Sequence, residues 1–252
     1  MESPHGAAVA AEDFGLEGPR GRVFRDVTFS AEPGSLVAVE GPSGSGRTCL
    51  LLALTGRMRP TGGHARTGGF RLPAQADAVR RIAALGPVPG VSELDPAFTV
   101  AEHLGERALL QGRYGASLRT LLRPRAERRA AARARVDGAL EAAGLDLAAL
   151  PKAGRTSVRD LERLEALRLS VALALIGEPR LLAVDDTDLK LSNAERDRAW
   201  ELLRSVADAG TTVLAVCSEA PEGALVVRTA PATEESTTDE ETADAFAEAG
   251  RA

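Results

Sequence analysis

The chain has 252 residues, a formal net charge of −5 and a pI near 5.4, so it is long enough to bury a substantial core and too acidic overall for a dedicated nucleic-acid binder. Hydrophobic residues make up 44% and aromatics 3%, which rests the core on Leu, Val and Ala and excludes a chain that is disordered throughout. Cys49 and Cys217 are the only cysteines, giving neither a disulfide framework nor metal-ligand spacing, as suits a reducing compartment.

In chain order, residues 1–22 read as an N-terminal segment with acids where a signal peptide would carry bases. Residues 22–40, RVFRDVTFSAEPGSLVAVE, predict two strands joined by a turn at Pro33-Gly34, the second being the β-branched run LVAV. TCLLLALTGRM continues as a helix that is apolar all round and stops near Pro60 and Gly62-Gly63. From Leu94 to Leu164 strands fade, and VAEHLGERALLQGRY and AERRAAARARVDGALEAAGL have helical spacing. LRLSVALALIGEP is an apolar helix closed by Gly177 and Pro179, and RLLAVDD is an apolar strand ending in two acids. The helix NAERDRAWELLRSVADAG ends on Gly210 and leads to two strands of the buried type, TTVLAVC and ALVVR. This alternation implies a parallel sheet covered on both faces. Residues 230–252 are acidic and Thr/Glu-rich, the composition of a disordered tail. No stretch of the chain approaches a membrane span.

Residues 41–48 read GPSGSGRT directly after a predicted strand and before a predicted helix. The pattern G-x-x-x-x-G-K-S/T places backbone N–H groups around phosphates, a Lys at the terminal phosphates and a hydroxyl on Mg²⁺. Every position fits except Arg47. Lys152 and Lys190 are the only lysines in the chain, so a general preference for Arg contributes to this exchange.

The order glycine loop, helical insertion, apolar helix, acid-ended strand resembles an ABC-type ATPase domain over roughly residues 23–228. Its anchors are GPSGSGRT and VALALIGEPRLLAVDD, with FTVAEHL at 98–104 and RDVTF at 25–29 falling in the same register. The resemblance implies an α/β P-loop NTPase fold with a parallel or mixed sheet. The core would span 23–90 and 166–229, a helical subdomain would span 91–165, and the tail would follow at 230–252. It also implies that ATP is held by Gly41, Pro42, Ser43, Gly44, Ser45, Gly46, Arg47, Thr48 and Cys49. Mg²⁺ would be held by Thr48 and Asp185, and Asp186 would stand at the catalytic carboxylate.

The same register places other residues at positions where the family carries its chemistry. Asp186 is one methylene shorter than the family's Glu. Gly90 replaces the γ-phosphate-sensing Gln, and Leu161, Glu162, Arg163, Leu164 and Glu165 replace the LSGGQ signature. Ser192 stands for the D-loop Asp and Ser218 for the switch His. A guanidinium is broader and longer than an ammonium, and a misplacement of about 1 Å at a reacting group costs about 10²-fold.

These departures imply an ATP-binding subunit with slow or absent hydrolysis, or alternatively a pseudo-ATPase that serves as a regulatory or scaffold protein. By resemblance the partners would be a membrane-embedded permease and a second nucleotide-binding subunit, as homodimer or heterodimer. The location would be cytoplasmic, peripheral at the inner face of the membrane through the permease, and no nucleic acid is expected. Phe14 is a candidate for stacking on adenine. The segment RTLLRPRAERRAAARAR at 119–135, with seven Arg, reads as a solvated helical face because no aromatics are interleaved. His5, His64 and His103 lack metal or triad spacing.

Overall fold

A computed structural model describes residues 5–19, 21–114 and 124–229. Two sheets form the frame. The first is antiparallel, with strands β1 (Val9–Gly18), β2 (Gly21–Ala31), β4 (Gly62–Thr67) and β5 (Phe70–Leu72) in the order β2-β1-β4-β5. The second is parallel, with strands β3 (Leu36–Glu40), β6 (Ala83–Leu85), β7 (Leu181–Val184), β8 (Thr212–Cys217) and β9 (Leu225–Arg228) in the order β6-β7-β8-β3-β9.

The parallel sheet divides the core in two. Leu36, Ala38, Leu182, Val184, Val213 and Ala215 face one hydrophobic cluster, while Val37, Val39, Leu181, Ala183, Leu214 and Val216 face the other. Successive residues of a strand point to opposite faces, so a strand buried on both must be apolar throughout, which is why LVAV, LLAV and TVLAVC read as unbroken runs. The first cluster is completed by helices α3 (Val100–Tyr114), α4 (Arg125–Ala142), α5 (Arg163–Leu175) and α6 (Asn193–Asp208). The second is completed by α1 (Arg47–Leu54), α2 (Ala76–Ile82) and the antiparallel sheet. Between α4 and α5 the chain runs through three short 3-10 turns.

Several boundaries differ from the sequence reading. Residues 1–22 were expected only as an N-terminal segment, yet residues 9–18 form β1, paired to β2 from Val9↔Ala31 to Gly18↔Gly21. The limit at 22/23 therefore falls inside β2, and the limit at 165/166 falls inside α5. Helix α1 ends at Leu54 rather than near Pro60 because Gly56 takes a left-handed conformation, φ 73°. The Gly56 N–H then donates to the Ala53 carbonyl at 3.1 Å and the Arg57 N–H to the Leu52 carbonyl at 2.8 Å, a Schellman closure. Strand β9 is not buried as ALVVR suggested: it is an edge strand, with Leu225 and Val226 each 38% exposed and Val227 turned inward. The acidic tail 230–252 lies outside the described residues.

Candidate nucleotide site

Strand β3 delivers the chain into the glycine loop from the middle of the parallel sheet, between β8 and β9. The loop then turns into α1, whose first backbone bond runs from the Leu50 N–H to the Gly46 carbonyl at 2.8 Å. Gly46 has φ 79°, and a Cβ there would lie 2.4 Å from the Val23 carbonyl oxygen of β2. Both its conformation and its neighbour demand glycine. A Cβ on Gly41 would meet Thr229 Oγ1 at 2.5 Å. Pro42, Ser43 and Gly44 face outward, while Ser45 is fully buried with its Oγ 2.6 Å from Thr229 Oγ1. The loop is thus braced from behind and open in front, a shape suited to receive phosphate on backbone N–H groups at a helix start.

The structure brings Thr48 and Asp185 together: the Thr48 hydroxyl donates to Asp185 Oδ2 at 2.6 Å. Asp185 is only 3% exposed at the end of β7, and its N–H is held by the Pro87 carbonyl at 2.9 Å. A hydroxyl and a buried carboxylate in contact are the hard oxygen donors Mg²⁺ takes when phosphates supply the rest of its shell. Among the described residues no group of three or more acids, histidines or cysteines forms a cation site by itself.

Arg47 is committed elsewhere. Its Nη1 donates to the Cys217 carbonyl at the end of β8 at 2.6 Å. Burial, with the Asp188 and Glu40 carboxylates, pushes the Cys217 thiol up to about 12, against the opposing influence of Arg47. Cys49 is also raised, by burial and then by Asp185, so neither thiol is a nucleophile at neutral pH. Asp186 sits at φ 49° and lines a cleft of ≈ 710 Å³ with Ser43, Arg47, Asp188 and Ser218. Burial and the neighbouring Asp185 raise its pKa; Arg47 pulls the other way and Asp188 adds to the rise.

The remaining positions are occupied by residues that serve backbone. Ser192 caps α6, its side chain accepting from the Glu195 N–H while Glu195 accepts from the Ser192 N–H at 2.8 Å. Glu162 caps α5, and Glu165 accepts from the Glu162 N–H at 2.8 Å. Gly90 donates its N–H to Glu93 Oε1 at 3.0 Å, and residues flanking it line a second cleft of ≈ 580 Å³ with Asp185, Asp186 and Arg163. Ser218 donates its N–H to Asp188 Oδ2 at 2.8 Å. Phe14 does not serve a base: it is fully buried, with its ring 5.8 Å from that of Phe24. Its inward position on β1 commits it to the core. Of the basic segment, Arg125, Arg129 and Arg133 are exposed on α4, and positions 119 and 123 lie outside the described residues.

Sequence reasoning missed Thr229, Asp188 and the Glu40–Arg228 contact at 3.3 Å. Asp188 left a trace, as the third acid of DDTD. Thr229 left none, being joined to the loop only by the pairing of β9 with β3.

A strand, a glycine loop braced at Gly46 and a buried acid at the end of a neighbouring parallel strand define a P-loop α/β protein of the ATP-binding-cassette fold. The sequence pattern of the ABC transporter family matches residues 24–188. The chain belongs to that family. It is 32% identical over 220 residues to the Nod factor export ATP-binding protein I of Ralstonia nicotianae, covering 84% of this chain and 62% of the relative. It is 34% identical over 193 residues to the protein of that name from Paraburkholderia xenovorans, covering 76% and 56%. The chain therefore spans little more than half the length of these relatives. Its fold is similar to that of a bacterial Atm1-family ABC exporter with ATP bound, with TM-score 0.64, 23% identity and coverage of 91% of this chain and 38% of that one. It is equally similar to a dimeric ATP-binding cassette bound to ADP and Pi, with TM-score 0.63, 20% identity and coverage of 84% and 88%. Among the described residues no helix is long and apolar enough to cross a membrane.

Proposed function

We infer that the chain is the nucleotide-binding subunit of an ABC-type transporter, holding nucleotide through residues 41–48 and hydrolysing it slowly or not at all. The observation that carries this reading is the contrast within one site. The loop glycines and the Thr48–Asp185 pair keep a binding frame, while Arg47 is turned to the Cys217 carbonyl and Ser192 and Glu162 cap helices. Mg²⁺, when bound, offsets phosphate charge. Thr48 and Asp185 would hold it, and the loop N–H groups would orient the phosphates. Asp186, shorter than the family's Glu, sets its carboxylate back from the position of an attacking water.

A membrane-embedded permease and a second nucleotide-binding subunit, as homodimer or heterodimer, are the partners this reading implies, with the chain held at the cytoplasmic face through the permease. Val91 and Leu110, both exposed, line a cleft of ≈ 510 Å³ with Arg57, Arg80 and Arg107. Leu109, 72% exposed on α3, adds a further exposed apolar side chain on the helix that carries Leu110.

Titration of a fluorescent ATP analogue with and without Mg²⁺, followed by phosphate-release kinetics, tests the reading. Saturable Mg²⁺-dependent binding with little turnover is expected. Steady turnover comparable to ordinary ABC ATPases would overturn it. The second reading, a scaffold pseudo-ATPase, is favoured by the number of chemical positions given over to capping. Absence of any nucleotide binding would leave it standing alone.

A further inference from the structure

We propose that the site is built for a nucleoside diphosphate in preference to a triphosphate. This rests on the nucleotide reading above and concerns the cleft in front of the loop. The backbone N–H groups of a glycine loop serve the inner phosphates, and a terminal phosphate projects beyond them to meet the loop's cation. Here the space beyond the loop is the cleft shared by Ser43, Arg47, Asp186, Asp188 and Ser218.

Three features make that space hostile to a third phosphate. Arg47 has one arm spent on the Cys217 carbonyl at 2.6 Å, so the one loop cation is drawn toward β8. Asp188 is 8% exposed and fixed by the N–H groups of Ser218 and Glu219 at 2.8 and 3.4 Å. It therefore holds its carboxylate beside Ser218, in the cleft that Arg47 also lines. Asp186 lies across the same cleft. The other two charged groups there, Glu40 and Arg228, answer each other at 3.3 Å. A terminal phosphate would add up to two negative charges near two carboxylates, one of them buried and fixed, in a partly enclosed space. Mg²⁺ held at Thr48 and Asp185 would touch the terminal as well as the inner phosphate of a triphosphate, a gain that the carboxylates of Asp186 and Asp188 must outweigh. A diphosphate occupies the loop and leaves the acidic cleft to water.

The test is calorimetric titration of the full chain with Mg-ADP and with Mg-ATP in the same buffer. ADP is expected to bind about tenfold more tightly, the Asp188→Asn variant should narrow that gap by raising ATP affinity, and added salt should narrow it in the unmodified chain through screening. The salt series keeps the test decisive should the variant fold poorly. ATP binding as tightly as ADP, or more tightly, would overturn the diphosphate preference and leave the nucleotide reading intact. Binding of neither would overturn both.

Discussion

Gly46 and Thr229 hold the glycine loop from opposite sides, one by leaving room for the Val23 carbonyl and the other by bonding Ser45. Gly46→Ala would force a Cβ into that carbonyl at a left-handed φ, so a loss of about 2 kcal/mol in urea unfolding is expected, with nucleotide binding lost as well. Unchanged stability would mean the loop can relax around a methyl group. Cys217 makes a pH-dependent contribution whose sign follows from its raised pKa. The folded chain keeps that thiol's proton more tightly than the unfolded chain. The contribution is whole below the ordinary value of 9.0 and is lost as pH rises toward about 12. The melting temperature should therefore fall less steeply above about pH 9 in Cys217→Ala than in the parent chain; equal slopes would place the alkaline loss elsewhere. The placement of the glycines, Thr48 and Asp185 was legible in the sequence because it follows from local backbone and from one strand end. The partners of Arg47 and Ser45 were not, since they lie 170 and 184 residues away and only the sheet order brings them near.

Legibility of the elements follows from how each is buried. Strands β3, β7 and β8 are apolar on both faces and stand out as runs. Strand β1 does not, because register shifts between Ala11 and Phe14 and between Phe14 and Leu16 break its alternation, and β4 carries His64 and Arg66 on its open side. The start of α6 supplies a prediction at this scale. Glu195 is lowered in pKa first by the Ser192 hydroxyl and then by the Ser192 N–H, so its capping contribution is present above the ordinary 4.5 and is lost as pH falls through the lowered value. Glu195→Gln should flatten the acid limb of the melting curve, and Ser192→Ala should cost about 1 kcal/mol at neutral pH. An acid limb identical in the two chains would show that the cap is not coupled to the fold. Ser192 therefore has a sufficient structural reason for its identity, independent of any chemistry its position carries in relatives.

At the scale of the molecule, the parallel sheet is the shared wall of both hydrophobic clusters, and neither can be exposed without stripping one face of β3, β7 and β8. Trp200, the only tryptophan, is nearly buried in the cluster formed with α3 to α6. Its fluorescence reports that side alone, while far-UV dichroism reports the whole chain. The two signals should lose structure at one urea midpoint; separate midpoints would mean that the antiparallel sheet and α1 unfold as a unit of their own. The contact of Thr229 with Ser45 also bears on how the chain tolerates engineering. A purification tag or fluorescent partner joined directly after Thr229 would pull on the floor of the glycine loop, and a cut made before β9 would remove that floor. Fusions at this end should therefore keep residues up to 229 intact and begin well beyond them.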